Sequence, residues 1–349
     1  MDISRRHSPA GWPRWRLIRI SRPTATTYNI RRLMAVSIVE MRASNSLWRE
    51  ARSILVRHCE EDGLFTAVIP GVHLMRFGWR SQPLVATQFP CMAMVIQGTK
   101  SVEFGETNLE YGAGQYLLTS IDVPATSRIV NASKARPLLA VGVQIDFAEL
   151  KEVIRRCDAM PQLNTQPGIT IFDADLEILD AVVRLLRLLD TPEHSKPLAP
   201  LIRQEILYRL LSGRSGSRLL EICRSGSPSN RIAEVTGWIK KHFAESFLVE
   251  GLAHHVGMSP SSFHQHFKAV TGMTPIQYQR RIRLQEARKS LLMEAINIGE
   301  ASVRVGYESH SQFSKDYRQY FGRLPKDDIA AHAHGGASID RYTPAAPMR

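Results

Sequence analysis

Across residues 252–322 the apolar positions run twice through one helical rhythm, in LAHHVGMSPSSFHQHFKAVTG (252–272) and SVRVGYESHSQFSKDYRQYFG (302–322). In each copy a small residue stands four before a glycine, Ala253 before Gly257 and Ser302 before Gly306. Two aromatics follow at i, i+4, Phe263 with Phe267 and Phe313 with Tyr317, and a closing glycine comes five later, Gly272 and Gly322. A supersecondary unit repeated about fifty residues on sets the architecture around it. The small residue lets two helices approach, and the glycine supplies a turn that a side chain would resist. Ser259 followed by Pro260 reads as an N-cap and first helical residue, and Ser309 caps the second copy. With the aromatics turned inward, the opposite face carries Ser261, His264, Gln265 and Lys268 in one copy, and His310, Ser311, Ser314, Lys315 and Arg318 in the other. Short hydrogen-bonding side chains beside cations suit base edges and phosphates of a major groove. Between the copies, Thr274-Pro275-Ile276-Gln277 has the form of a capping box. The stretch 278–292 then runs without glycine or proline, with Ile282, Leu284, Ala287, Leu291 and Leu292 apolar. About eighteen helical residues span roughly 27 Å, of the order of the roughly 34 Å that separates successive major-groove segments on one face of DNA.

Upstream the period changes. Within residues 64–147, short runs rich in Val, Ile, Phe and Tyr alternate with turns, and glycines at 98, 105, 112 and 114 mark the corners. This spacing predicts a small β-barrel or sandwich. Helical spacing flanks it. Residues 44–59 place Leu47, Ala51, Ile54 and Leu55 on one side, and 173–190 form a stripe of Leu176, Leu179, Val183, Leu186 and Leu189. A further helix over 198–212 turns Ile202, Ile206 and Leu210 inward. The helix at 173–190 has two readings, a cover for the strands or a dimerisation surface. Gly213-Arg214-Ser215-Gly216-Ser217 and the run to 230 read as a linker. The expected organisation is α+β: an N-terminal extension (1–43), a strand-rich domain with helices (44–212), a linker (213–230), an all-α double helix-turn-helix domain (231–327) and a frayed tail (328–349), in which His332 and His334 are assigned no function.

The residues 258–292 followed by VGYESHSQFSKDYRQYFGRLP resemble the DNA-binding domain of the AraC/XylS family of bacterial transcription regulators, over residues 230–326. The resemblance implies recognition helices at 260–270 and 310–320, with Ser261, His264, Gln265, His310, Ser311, Ser314 and Lys315 facing bases and Lys268 and Arg318 on phosphate. Many relatives carry arginine where this chain has Gln265, which shifts the expectation from guanine toward adenine. Ser302 replaces a usual alanine. The string VIQGTKSVEFGETNLEYGAGQYLLTSIDVP resembles the cupin-like N-terminal domain of one branch of the same family, over residues 63–154, and implies a barrel that holds a small effector. A pocket drawn from His73, Trp79, Met92, Met94, Gln97 and Tyr116 is expected there; the same side chains also suit a plain core.

Charge refines this picture. The net +12 divides into +7 over residues 1–34, zero over 35–229, +4 over 230–330 and +1 beyond. The arginine-rich start reads as a disordered extension, or as sequence ahead of a true start at Met34 or Met41, without the apolar core of a secretory signal. No apolar run reaches the about eighteen residues of a membrane span. The four cysteines, Cys59, Cys91, Cys157 and Cys223, make no CxxC pair, which excludes the usual structural zinc site and fits a reducing cytoplasm. Cys91 reads as a sensing thiol or as an ordinary structural one. A metal-dependent enzyme on the barrel would need clustered histidines, whereas His73 is the single histidine between residues 65 and 193. A repair protein sharing the helix-turn-helix would need a zinc-supported reactive cysteine, and an architectural DNA binder a stronger charge. The reading is therefore a cytoplasmic, nucleoid-associated regulator, not an enzyme and without cofactor, that binds promoter DNA as its partner. A small-molecule effector, a homodimeric partner and, for an activator, RNA polymerase complete the expected partners.

Overall fold

A computed structural model describes residues 43–81, 83–157, 167–294 and 296–333. The expectations for residues 1–42 and for the chain beyond 333 lie outside them. Among the described residues, ten strands form two sheets. The larger is ordered β1(Gly63–Thr66), β2(Val72–Phe77), β9(Leu138–Gln144), β4(Cys91–Gln97), β7(Gln115–Thr119), β10(Ile169–Asp173). The smaller is ordered β3(Leu84–Gln88), β8(Val123–Asn131), β5(Thr99–Phe104), β6(Thr107–Gly112). All pairings are antiparallel. The sheets face one another in a cupin-like arrangement that is not closed into a continuous barrel.

Both faces of the larger sheet are covered. Its outer face contributes Leu74, Met92, Met94, Tyr116 and Val141 to a core shared with α1 (residues 43–58), α3(Leu176–Arg187) and α4(Ser195–Ser212). Its inner face sends Phe77, Val95, Leu117 and Ala140 against Val102, Phe104, Val123 and Ile129 of the smaller sheet. Of the two readings of the 173–190 helix, the cover is the one realised: Ile178, Leu179, Ala181, Val182, Val183, Leu185 and Leu186 of α3 are all buried between the sheet and α4.

The segment read as a linker is ordered. Residues 216–223 form α5(Gly216–Cys223), with Arg218 only 1% and Glu221 3% exposed. The Arg218 guanidinium donates to Ser120 Oγ (2.7 Å) and Ser229 Oγ (3.0 Å), and Ser229 Oγ donates to Glu221 Oε1 (2.8 Å). Tyr116 donates to Ser215 Oγ, which donates to Leu210 O. The glycine and serine content that suggested flexibility instead allows close packing at a junction of sheet and helices. The tail is also corrected. Residues 328–333 belong to α12(Pro325–Ala333), where Asp328 is 2% exposed and takes hydrogen bonds from Arg288 Nε (2.7 Å) and the Tyr317 hydroxyl (2.8 Å). Burial raises the Asp328 pKa, but these donors outweigh it and hold the carboxyl below its usual range.

Candidate nucleic-acid interface

Each helix-turn-helix is built by the same local devices. In the first, α7(Val249–His255) ends in bonds from Gly257 N to His254 O (3.0 Å) and from Met258 N to Ala253 O (2.9 Å). In the second, α10(Ile298–Arg304) ends in bonds from Gly306 N to Val303 O (2.9 Å) and from Tyr307 N to Ser302 O (3.0 Å). Gly257 at φ 63° and Gly306 at φ 82° occupy the left-handed conformation that this helix ending demands. Ser259 caps α8(Pro260–Thr271) by accepting from Ser262 N, and Ser309 caps α11(His310–Phe321) by accepting from Gln312 N. Gly272 and Gly322 close the two helices in the same left-handed conformation.

Phe263, Phe267, Phe313 and Tyr317 are fully buried. The opposite faces are therefore open: Ser261, His264, Gln265 and Lys268 on α8, and His310, Ser311, Lys315 and Arg318 on α11, are exposed, and Ser314 is half-buried. Ser311 Oγ lies 2.9 Å from the capping Ser309 Oγ, so this hydroxyl is already oriented by the helix start. His264, Gln265, Lys268, Ala269 and Thr274 border an open depression of about 500 Å³ along α8.

The spacer is α9(Pro275–Lys289), started by the expected Thr274/Gln277 capping box and extended by a π-helical turn, Ser290–Glu294. Ile282, Leu284, Ala287 and Leu291 are buried, as their spacing predicts, and Leu292 is half-buried. The residues that lock the spacer were missed, because single polar side chains on a polar helix give no periodic signal. Arg283 donates to Phe243 O (2.6 Å), Gly306 O (2.8 Å) and Ala244 O (3.1 Å), tying both units to the spacer. Gln279 Nε2 donates to Phe243 O and Glu245 O, and Gln285 Nε2 donates to Tyr320 Oη.

The double sheet packs directly on this region. Gly168 N donates to Val270 O (2.7 Å), Tyr278 Oη donates to Asp122 O (2.8 Å), Lys240 pairs with Asp122 (3.1 Å), and Thr87 Oγ1 donates to Gln285 Oε1 (2.6 Å). Phe104, Ile121 and Val123 share one apolar cluster with Phe267, Val270, Met273 and Tyr278.

The pocket expected in the sheets does not assemble. Met92, Met94 and Tyr116 point to the outer face, beneath the helices. His73 packs edge-on against Phe89 at 5.5 Å, Trp79 is 38% exposed, and Gln97 donates to Pro137 O. Alternate strand residues reach opposite faces, so the six positions divide between them. Burial pushes the Cys91 thiol up to about 12, which leaves it without thiolate character at neutral pH. Among the described residues no group of three or more His, Cys, Asp or Glu is placed to hold a metal ion, and no helix is long and apolar enough to cross a membrane.

Comparison with known proteins decides what this pair of capped helices belongs to. The model of the AraC-type transcriptional regulator N-terminus matches residues 68–218, and a helix-turn-helix domain model matches 252–329. This chain is a member of the AraC/XylS family. The HTH-type transcriptional regulator ArgR of Pseudomonas aeruginosa is 27% identical over 165 residues, 47% of this chain and 50% of ArgR. The HTH-type transcriptional activator RhaS of Salmonella schwarzengrund is 29% identical over 153 residues, 43% of this chain and 54% of RhaS. The chain thus spans about half the length of the curated relatives it matches. Two structures of ToxT from Vibrio cholerae are similar in fold. One, bound to an unsaturated fatty acid, has a TM-score of 0.51 at 8% identity, covering 74% of this chain and 94% of its own. The other, bound to (E)-4-(8-methylnaphthalen-1-yl)but-3-enoic acid, has a TM-score of 0.52 at 10% identity, covering 75% and 98%. In this AraC/XylS member, α8 and α11 with their capped polar faces both fall within the matched helix-turn-helix domain, residues 252–329.

Proposed function

We propose that this AraC/XylS member is a sequence-specific DNA-binding transcription regulator. The observation that carries the reading is the duplication itself: two helices with the same serine cap, the same buried aromatic pair and the same glycine end, each presenting polar side chains outward. Ser261, His264, Gln265, His310, Ser311, Ser314 and Lys315 read base edges, while Lys268 and Arg318 hold phosphate. The double sheet is the regulatory half and takes a small-molecule effector. Its contacts reach both units, at Val270 beside the end of α8 and, through Thr87, Gln285 and Tyr320, at α11. A change between the sheets thereby has two mechanical routes to the DNA-binding helices. RNA polymerase is the further partner if the chain is an activator, as its relative RhaS is, and paired sites would call for a homodimer. Selection of bound DNA from a random pool by the full chain tests the reading: enrichment of one defined sequence supports it, and uniform recovery overturns it.

A further inference from the structure

α11 carries one acidic residue, on the side it turns toward the spacer. Asp316 is 5% exposed, and three donors close on its carboxylate. Gln312 Nε2, one turn earlier on the same helix, donates to Oδ1 (2.7 Å). The Tyr307 hydroxyl, from the turn between α10 and α11, donates to Oδ2 (3.1 Å), and Arg280 of α9 pairs with the same oxygen from 3.4 Å. One carboxylate thus joins the turn, the second polar-faced helix and the spacer.

The contacts continue along this seam. Tyr320, one turn beyond Asp316, accepts from Gln285 Nε2 (3.0 Å) and lies under the Arg281 guanidinium, 5.4 Å from the ring centre. Phe321 lies under Arg288 at 5.0 Å. Residues four apart on a helix stand above one another, so Gln312, Asp316 and Tyr320 form one edge of α11. The buried pair Phe313 and Tyr317 holds the helix down by apolar contact, which has no preferred direction about the helix axis. Hydrogen bonds to an ionised group are directional and about twice as strong as neutral ones. The Asp316 contacts are therefore the ones that set how far α11 is rolled.

An enclosed carboxylate is otherwise a disadvantage here. It loses its hydration, and it adds negative charge to a helix whose open face would meet phosphate. The first unit does without it. The equivalent positions are His266 for Asp316, Ser262 for Gln312 and Met258 for Tyr307. There Phe267 stands edge-on to Tyr278 of the spacer at 5.6 Å.

We propose that Asp316 is a positioning residue for sequence reading by α11: its carboxylate fixes the roll of the helix on α9 and so decides which base pairs His310, Ser311, Ser314 and Lys315 reach. This rests on α8 and α11 being the DNA-reading helices. α8 takes no part in the lock, so the effect of losing the carboxylate is confined to one part of the recognised sequence.

The test takes the DNA that the full-length wild type selects and measures, by gel shift, the affinity lost on each single base-pair change in it. Lys315→Ala marks the positions read by α11, and Gln265→Ala those read by α8. Asp316→Asn, nearly equal in size, reduces discrimination about five- to tenfold at the Lys315 positions and leaves the Gln265 positions unchanged. Tyr307→Phe with Gln312→Leu, which removes two donors and keeps the carboxylate, flattens the same positions. Adding that pair to Asp316→Asn brings no further change, because the three side chains act as one unit. All measurements are made where thermal melting shows the proteins folded; if Asp316→Asn does not fold, the Tyr307→Phe, Gln312→Leu protein decides by the same criteria. A carboxylate that only stabilises the fold would lower the melting temperature and leave the profile as in wild type. That result overturns the proposal, as does equal flattening at the positions of both helices. Wild-type selectivity with an unaltered Asp316→Asn profile sinks only this inference, whereas a wild type that selects no sequence sinks the regulator reading and this inference with it.

Discussion

Gly105, in the turn between β5 and β6, lies so close to Gly272, the left-handed end of α8, that a Cβ on Gly105 would collide with the Gly272 carbonyl. Both residues have positive φ, 58° and 74°. The tip of the smaller sheet and the end of α8 therefore meet backbone to backbone, with no side chain between them to absorb a displacement.

Gly105→Ala should cost more than backbone strain alone. Gly114, at φ 93° with nothing within 4 Å of its Cβ position, is the internal control. Gly114→Ala should lose on the order of 1 kcal/mol for the left-handed conformation. Gly105→Ala adds the collision and should lose about 1–3 kcal/mol beyond that. Chemical denaturation of the two variants measures the difference; equal losses would mean that the contact does not exist in solution.

The buried Arg218 network holds sheet and helices together at Ser120 and Ser229. Arg218→Met should destabilise by about 1–3 kcal/mol, because Ser120 and Ser229 lose their buried donor and the Glu221 carboxylate loses the cation it reaches through Ser229 Oγ. Arg218→Met combined with Glu221→Leu should recover much of that loss. A double variant no better than the single one in urea unfolding would show that the two charges are not coupled.

Lys100 gives a pH signature. Burial brings its folded pKa down to about 8, below the unfolded amine's value of about 10.4. Over that window the unfolded chain binds the extra proton, so the Lys100 contribution rises with pH between about 8 and 10 and is least favourable below 8. Cys91 and Tyr111, raised by burial, contribute with the opposite sign as the pH climbs. The difference between wild type and Lys100→Met therefore isolates the amine. Lys100→Met should be the more stable at pH 7, with its advantage shrinking toward pH 10; a pH-independent difference would place the amine in water.

The proposed reading of α8 and α11 separates their exposed side chains by role. Gln265→Ala and Lys315→Ala should each lower the ratio of specific to random affinity by about 1–3 kcal/mol. Lys268→Ala and Arg318→Ala should weaken all sequences alike and flatten the salt dependence. A sequence-dependent loss at Lys268 or Arg318 would reassign that residue from phosphate to base.

What could be read from the sequence was whatever local rules determine. Glycine turns, serine caps and i, i+4 aromatics specify each helix-turn-helix within about twenty residues, and the structure realises them at Gly257, Ser259, Gly306 and Ser309. The interior of the double sheet was not legible, because both faces of the larger sheet are covered and alternation no longer separates inside from outside. Met92 and Met94 were consequently placed in a pocket, whereas they face outward beneath the helices. Residues 213–230 were misread for a different reason. Ser215, Arg218 and Glu221 are polar by composition, and only partners more than eighty residues away in the chain, Tyr116 and Ser120, make the segment a packed helix. Asp328 likewise looked like the start of a tail until Arg288 and Tyr317 close on it.

The central claim is that α8 and α11 each read their own segment of one duplex. Random-pool selection with the full chain, repeated with Gln265→Ala and with Lys315→Ala, tests it most directly. The wild type should enrich two short elements about one helical turn, roughly 10 base pairs, apart. Each substitution should relax one element and leave the other intact. A single enriched element, or two that relax together whichever helix is altered, would contradict the account.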